Sequence, residues 1–279
     1  MSHPAPVLVA VKERQPTVLA WALEMAARDG RPLRVVHTWV VDAPLPEYSR
    51  GALTADRLKE AGHAVLDEAR TIVEASGLDV EVTYELMHGR ALDVLKAESK
   101  DAAMVVVGTD AVSWWARILG EDVTHHLALR ASCPVIVVPE RSAHEQLTGG
   151  VMVTVEGNRP AAGPLRFAFE EAGRRGCGLH VVHAAHLGGP QDRETALKNV
   201  ATVLAGWRDQ YPDVEVSVVL EDGSPSDLAA AVTPLSQLFV VGRTRKAGSL
   251  VTLRRPVAAQ SVRDARCPVA VVPSADPTS

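Results

Sequence analysis

Two α/β domains in tandem, each a five-stranded parallel sheet with helices on both faces, are what this 279-residue chain predicts. Three observations carry that reading. The chain repeats itself: Gly108 of VVVG and Gly242 of FVVG stand 134 positions apart, as do Cys133 of SCPVIVVP and Cys267 of RCPVAVVP, and Gly89 and Gly223. His37 in LRVVHTWV and His183 in LHVVHAAH are offset by 146, and VLVAV and VMVTV by 144. The second copy therefore has a shorter excursion between its histidine and its glycine, and the halves read as homologous domains. Within each half, short apolar runs without polar alternation suit strands covered on both faces. Finally, 47% hydrophobic residues with only 4% aromatics is the Val, Leu and Ala palette of a parallel sheet under helices.

In the first copy the strands are expected at Val7–Val11, Leu33–Val36, Val80–Leu86, Ala103–Val107 and Val135–Val138. Helical patterns lie between them at Thr17–Arg28, Leu53–Ser76, Ala91–Ser99 and Asp122–Ala131. The order βαβαβαβαβ with right-handed crossovers gives the parallel sheet. In the second copy the strands are expected at Val151–Val155, Leu179–Val182, Val214–Leu220, Leu238–Val241 and Val269–Val272. Domain one is placed at 1–139 and domain two at 150–273, with the polar 140–149 segment as linker and 274–279 as a disordered tail.

Composition narrows the function classes. A net charge of −5 gives no reason to expect nucleic acid or an anionic membrane as partner. No stretch approaches the roughly 18 apolar residues of a membrane span, and the N-terminal MSHPAP carries no apolar run, so a cytoplasmic protein is expected. Cys133, Cys177 and Cys267 form no CxxC pair, and two of them precede matching apolar strands; buried, reduced, structural thiols are expected.

Open parallel sheets bind ligands beyond the carboxyl ends of their strands, where strand order reverses. That singles out residues 12–15, 37–39 and 108–121 in the first copy and 156–159, 183–186 and 242–256 in the second. VLVAV, the VVH of strand two, the VVVG strand end and CPVIVVP, each with its counterpart in the second half, resemble the universal stress protein family over nearly the whole chain. The resemblance implies a Rossmann-like fold, pairing of two such domains through the last strand and, in one branch, ATP binding without a well-defined reaction. It implies an internal pseudo-dimer here, a candidate homodimer beyond it, and protein partners the sequence does not name.

In ATP-binding members of that family the fourth strand is followed by a glycine, two residues, a second glycine, nine residues, then Gly-Ser or Gly-Thr opening a helix. An Asp after strand one lies near the adenine. Glycines bring bare N–H groups onto phosphate oxygens at a helix N-terminus. Copy one keeps Gly108, has Ala111 for the second glycine and Lys12 for the Asp, and counting back from Cys133 places Glu121 and Asp122 at the Gly-Ser pair, beside Gly120. Two carboxylates where phosphates belong cap the helix themselves, so copy one is expected not to bind ATP in the family's way. Copy two keeps Gly242, with Arg245, Arg255 and Pro256 at the other positions, and Glu156 as the acid after strand one. Its cations Arg243, Arg245, Lys246, Arg254 and Arg255 run without an acid, against three acids over Gly108–Asp122. The candidate ligand residues are therefore Val155, Glu156, Ala184, Val241, Gly242, Arg243, Thr244, Arg245, Arg254, Arg255, Pro256 and Val257, for ATP, another nucleotide or another anion.

Other constellations have plainer readings. His180, His183 and His186 converge on a metal only if the strand turns between them, so no metal is expected. His125 and His126 diverge by about 100° on a helix. Trp114 and Trp115 suit an apolar lid or core plug more than a partner patch. Ser224, Ser226 and Asp227 fit a helix start, and no GxSxG elbow, P-loop or paired-carboxylate motif occurs. A non-enzymatic stress-response protein without catalytic residues is expected. The alternative is an ATP-dependent phosphotransferase or slow ATPase working through the second domain.

Overall fold

A computed structural model describes residues 4–41, 54–108, 127–128, 130–139, 149–155, 162–185, 190–222, 236–243 and 267–274. The chain divides into two compact units, Met1–Glu140 and Arg141–Ser279. The first contains β1 (Val7–Ala10), α1 (Pro16–Asp29), β2 (Leu33–Trp39), α2 (Ala55–Ala75), β3 (Val82–His88), α3 (Ala91–Glu98), β4 (Met104–Gly108) and β5 (Val135–Val138). Its strand order is β3-β2-β1-β4-β5, every neighbour parallel. The second contains β6 (Val151–Val155), α4 (Ala162–Arg175), β7 (Leu179–Ala185), α5 (Pro190–Gln210), β8 (Val216–Asp222), β9 (Leu238–Arg243) and β10 (Val269–Pro273). Its order, β8-β7-β6-β9-β10, repeats the first.

The element boundaries follow from local chemistry. Pro16 opens α1, where a missing N–H is harmless, and Gly30 closes it in the left-handed region at φ 59. The next residue returns an N–H to Ala26 O at 2.9 Å, as such caps do. Thr54 caps α2 by accepting from Arg57 N, and Asp56 sits in the first turn, favourable at the positive helix end. Leu66, Ala69 and Val73 of α2 are buried at helical spacing. Val7, Leu8 and Val9 of β1, the central strand, are wholly buried, as a doubly covered strand requires.

Side-chain alternation divides the two faces of β2. His37 faces α2, where a Cβ on Gly62 would stand 3.1 Å from its ring. Arg34 faces α3: its guanidinium donates to both oxygens of Glu85 at 2.9 and 2.7 Å and to Glu98 at 2.9 Å. At the matching position of β7, His180 meets Ser217 Oγ at 2.6 Å. The Arg34 hydrogen bond holds the Glu85 carboxyl below its ordinary range. A carboxyl lowered in the folded state stabilises fully above its unfolded value, about 4.3, and that stability is lost as pH falls through the lower folded value. Denaturant unfolding at pH 7 and pH 3 should therefore show Glu85→Gln losing less stability on acidification than the wild type.

Several strands outrun their apolar runs. β2 and β7 continue through His37–Trp39 and His183–Ala185, residues expected just beyond the strands, because backbone pairing with β3 and β8 persists past the apolar segment. β3 and β8 begin two residues late and extend to His88 and Asp222, so Asp222 ends a strand. β3 is only half-buried, as an edge strand. Of the helix expected at Asp122–Ala131, residues 127, 128, 130 and 131 are described; the first three are helical and Ala131 lies beyond the helix.

Candidate functional site

In each domain the strand order reverses beside the first strand, between β1 and β4 and between β6 and β9. The carboxyl ends of these pairs are where a ligand is expected. His37 Nδ1 lies 2.8 Å from Val11 O, and His183 Nδ1 lies 2.9 Å from Val155 O. Each ring pins the carbonyl at the end of its central strand. His183 is buried, with 6% of its surface exposed, and this bond accounts for it. Because β7 runs straight through both residues, His183 points away from His180 and the pair cannot share an ion; His186 lies outside the described residues, and no described group of side chains could hold a metal.

In domain one, Gly108 stands one residue and Lys12 two residues beyond the Ala10–Val107 pair, at the ends of adjacent strands. The Lys12 ammonium lies 3.3 Å from Glu13. Gln15, just before α1, is 3% exposed. Its Oε1 accepts from Lys12 N at 3.2 Å, while its buried Nε2 has no hydrogen-bond partner among the described residues, a state that costs about 1–3 kcal/mol. A Cβ on Gly108 would meet that Nε2 at 2.6 Å and Val18 Cγ2 at 2.9 Å. Ala111, Gly120, Glu121 and Asp122 lie outside the described residues, as do Trp114 and Trp115.

Domain two brings Val155, Ala184, Val241, Gly242 and Arg243 to the carboxyl ends of the neighbouring strands β7, β6 and β9. Val155 and Gly242 stand two residues beyond the Val153–Val240 pair. β9 continues to Arg243, opposite Pro273 of β10, and Ser274 Oγ donates to Arg243 O. Glu156, Thr244, Arg245, Arg254, Arg255, Pro256 and Val257 lie outside the described residues, and so do Ser224, Ser226 and Asp227. A Cβ on Gly242 would lie 3.2 Å from Pro164 Cγ. The glycine shared by both copies is thus explained in each by the close passage of the following-strand helix, whether or not a ligand is present.

Cys267, just ahead of β10, is fully buried, and burial pushes its thiol up to about 12. It stays protonated and unreactive at neutral pH; Cys133 is buried as well, as the sequence reading expected of all three, but Cys177 is half-exposed. Gln15 had no assigned role in that reading. The signal for it was the spacing: Val7 and Val151, which open β1 and β6, are 144 apart, whereas Gly30 and Gly176, which follow α1 and α4, are 146 apart, so the first domain is two residues shorter between these points.

Comparison with known proteins agrees with this duplicated architecture. Universal stress protein Rv1996 of Mycobacterium tuberculosis (strain ATCC 25618 / H37Rv) is 31% identical over 265 residues, covering 81% of this chain and 82% of the relative. Universal stress protein Rv2623 of the same strain is 30% identical over 277 residues, covering 90% and 91%. The crystal structure of a universal stress protein from Archaeoglobus fulgidus DSM 4304 shares the fold at a TM-score of 0.71 and 19% identity, over 98% of this chain and 97% of that one. The universal stress protein family model matches residues 5–139 and again 149–273, and the chain belongs to that family, with two copies of its domain in tandem.

Proposed function

We propose that this chain is a non-catalytic stress-response protein that senses a nucleotide or another phosphate-bearing anion at the carboxyl edge of its second domain. Family membership supports the stress-response role. The observation that carries the ligand reading is the placement of Arg243. It stands at the end of β9, at the reversal point beside Val155, where its main-chain oxygen accepts from Ser274 Oγ. From there the sequence runs on through Arg245, Lys246, Arg254 and Arg255 without an acid. Cations before a helix oppose its dipole unless an anion lies among them, and Pro256 suits the first turn of such a helix. The first domain, with Lys12, Glu121 and Asp122 at the corresponding places, stays without nucleotide in this reading. Two domains of one kind in one chain support an internal pair, and the absence among the described residues of a helix long and apolar enough to cross a membrane is compatible with a cytoplasmic location.

Calorimetric titration with ATP, AMP and cyclic nucleotides tests the proposal. Arg254→Glu with Arg255→Glu should weaken binding at least hundredfold while leaving the circular dichroism spectrum unchanged. Equal binding by the double variant, or no anion binding by the wild type, overturns the reading. Turnover of ATP with magnesium separates it from the phosphotransferase alternative, for which Glu156 is the acid nearest the expected site in sequence; none above background is expected.

A further inference from the structure

The two domains differ at the carboxyl edge in a way their shared frame does not require. In the first, the short β1–α1 connection brings Gln15 inward, so that its amide lies against the bare Cα of Gly108, at the strand end where a ligand group would pass. Three bonds and constraints hold it there: Oε1 on Lys12 N at 3.2 Å, its main-chain oxygen on Leu19 N at 3.1 Å, and Pro16 fixing the next φ. The amide is so enclosed that its own Nε2 reaches neither solvent nor, among the described residues, a partner. In the second half of the sequence the residue corresponding to Gln15, at the 146-residue offset that relates Gly30 to Gly176, is Ala161, which has no amide to place.

We propose that Gln15 is the residue that closes the first domain's reversal point to ligands, a steric lock independent of Glu121 and Asp122. The space beside a glycine at the end of β4 is useful to a phosphate or ribose only while it stays empty, and in this domain a side chain of the protein occupies it. The proposal rests on the reading that a nucleotide-like ligand belongs to the second domain, and it explains why one fold with one strand order would bind in one copy only. Gln15 is also removable. Its removal costs the Oε1 bond to Lys12 N but none at Nε2 among the described residues, and serine is a favoured residue before a helix, where α1 has no side-chain cap.

The test is titration of the full chain with ATP in the Arg254→Glu, Arg255→Glu background, which silences the second domain. Glu121→Gly with Asp122→Ser should not bind on its own. Adding Gln15→Ser should raise affinity at least tenfold, with an unchanged circular dichroism spectrum; Gln15→Ala, tested alongside, should open the edge equally. Binding by the Glu121, Asp122 variant without any change at Gln15 overturns the proposal, as does a failure of both Gln15 substitutions to increase it. If the Arg254, Arg255 background binds ATP like the wild type, the second-domain reading fails, while the difference made by Gln15 still decides whether it is a lock.

Discussion

Gly150→Ala should destabilise the second domain by at least about 3 kcal/mol, the upper range for overpacking a close-fitted site. A Cβ there would stand 2.2 Å from Gly178 O and 3.0 Å from Gly178 C. Both are backbone atoms, fixed in turn: Gly178 O accepts from Val151 N at 2.9 Å, and Gly150 O accepts from Gln237 N at 3.1 Å. The substitution forces apart the entries of β6, β7 and β9 together. Gly206→Ala is the control, because nothing lies within 4 Å of a Cβ at that position of α5, and alanine in a helix interior adds roughly 0.5–1 kcal/mol over glycine. Denaturant midpoints of the two variants should move in opposite directions. A Gly150→Ala chain as stable as wild type would show that the two strand entries are not held this close.

Phe169→Ala should cost about 3–5 kcal/mol, as expected for removing a fully enclosed aromatic. Phe169 of α4 is wholly buried and stacks on Trp207 at 5.8 Å and Tyr211 at 5.3 Å between centroids. The three rings join α4 to the end of α5, and burial raises the Tyr211 phenol above its ordinary value. Trp207 is the only tryptophan after residue 115, so its emission, taken as the difference from Trp207→Phe chains, reports the loss directly as a red shift. Phe169→Leu, which keeps most of the volume, should cost less than half as much. A loss under about 1 kcal/mol for the alanine variant would mean that α4 and α5 are joined elsewhere.

The duplicated frame was legible because its signals are repetitive and apolar. Matching glycines, matching Cys-Pro-Val turns and runs of β-branched residues all report on the core, where burial leaves little freedom. Strand ends were less legible: His37 and His183 are polar, and polar residues at a carboxyl edge remain paired through their backbones, which no side-chain pattern reveals. Gly150 looked like punctuation beside the linker; only the path of Gly178 shows that a carbonyl stands where its side chain would be. Gln15 was harder still, since a lone glutamine in a polar loop signals exposure, and its burial follows from the length of that loop measured against its twin. The charged pair at Glu121 and Asp122 and the arginines after Arg243 were read from residue type and count alone.

Both β–α connections at the reversal points are anchored in the same manner. One end is pinned by a histidine ring on a carbonyl at the strand end, that of Val11 just past β1 or of Val155, the last residue of β6. The other is seated by the third residue of the helix, Val18 or Pro164, against the β4 or β9 glycine. Whatever chain runs between these two fixed points is therefore an interchangeable cassette. Grafting the segment after Val155 into the place after Val11 should therefore leave the core as it is, and a duplicated protein built this way can vary the connection of one copy while its frame stays constant.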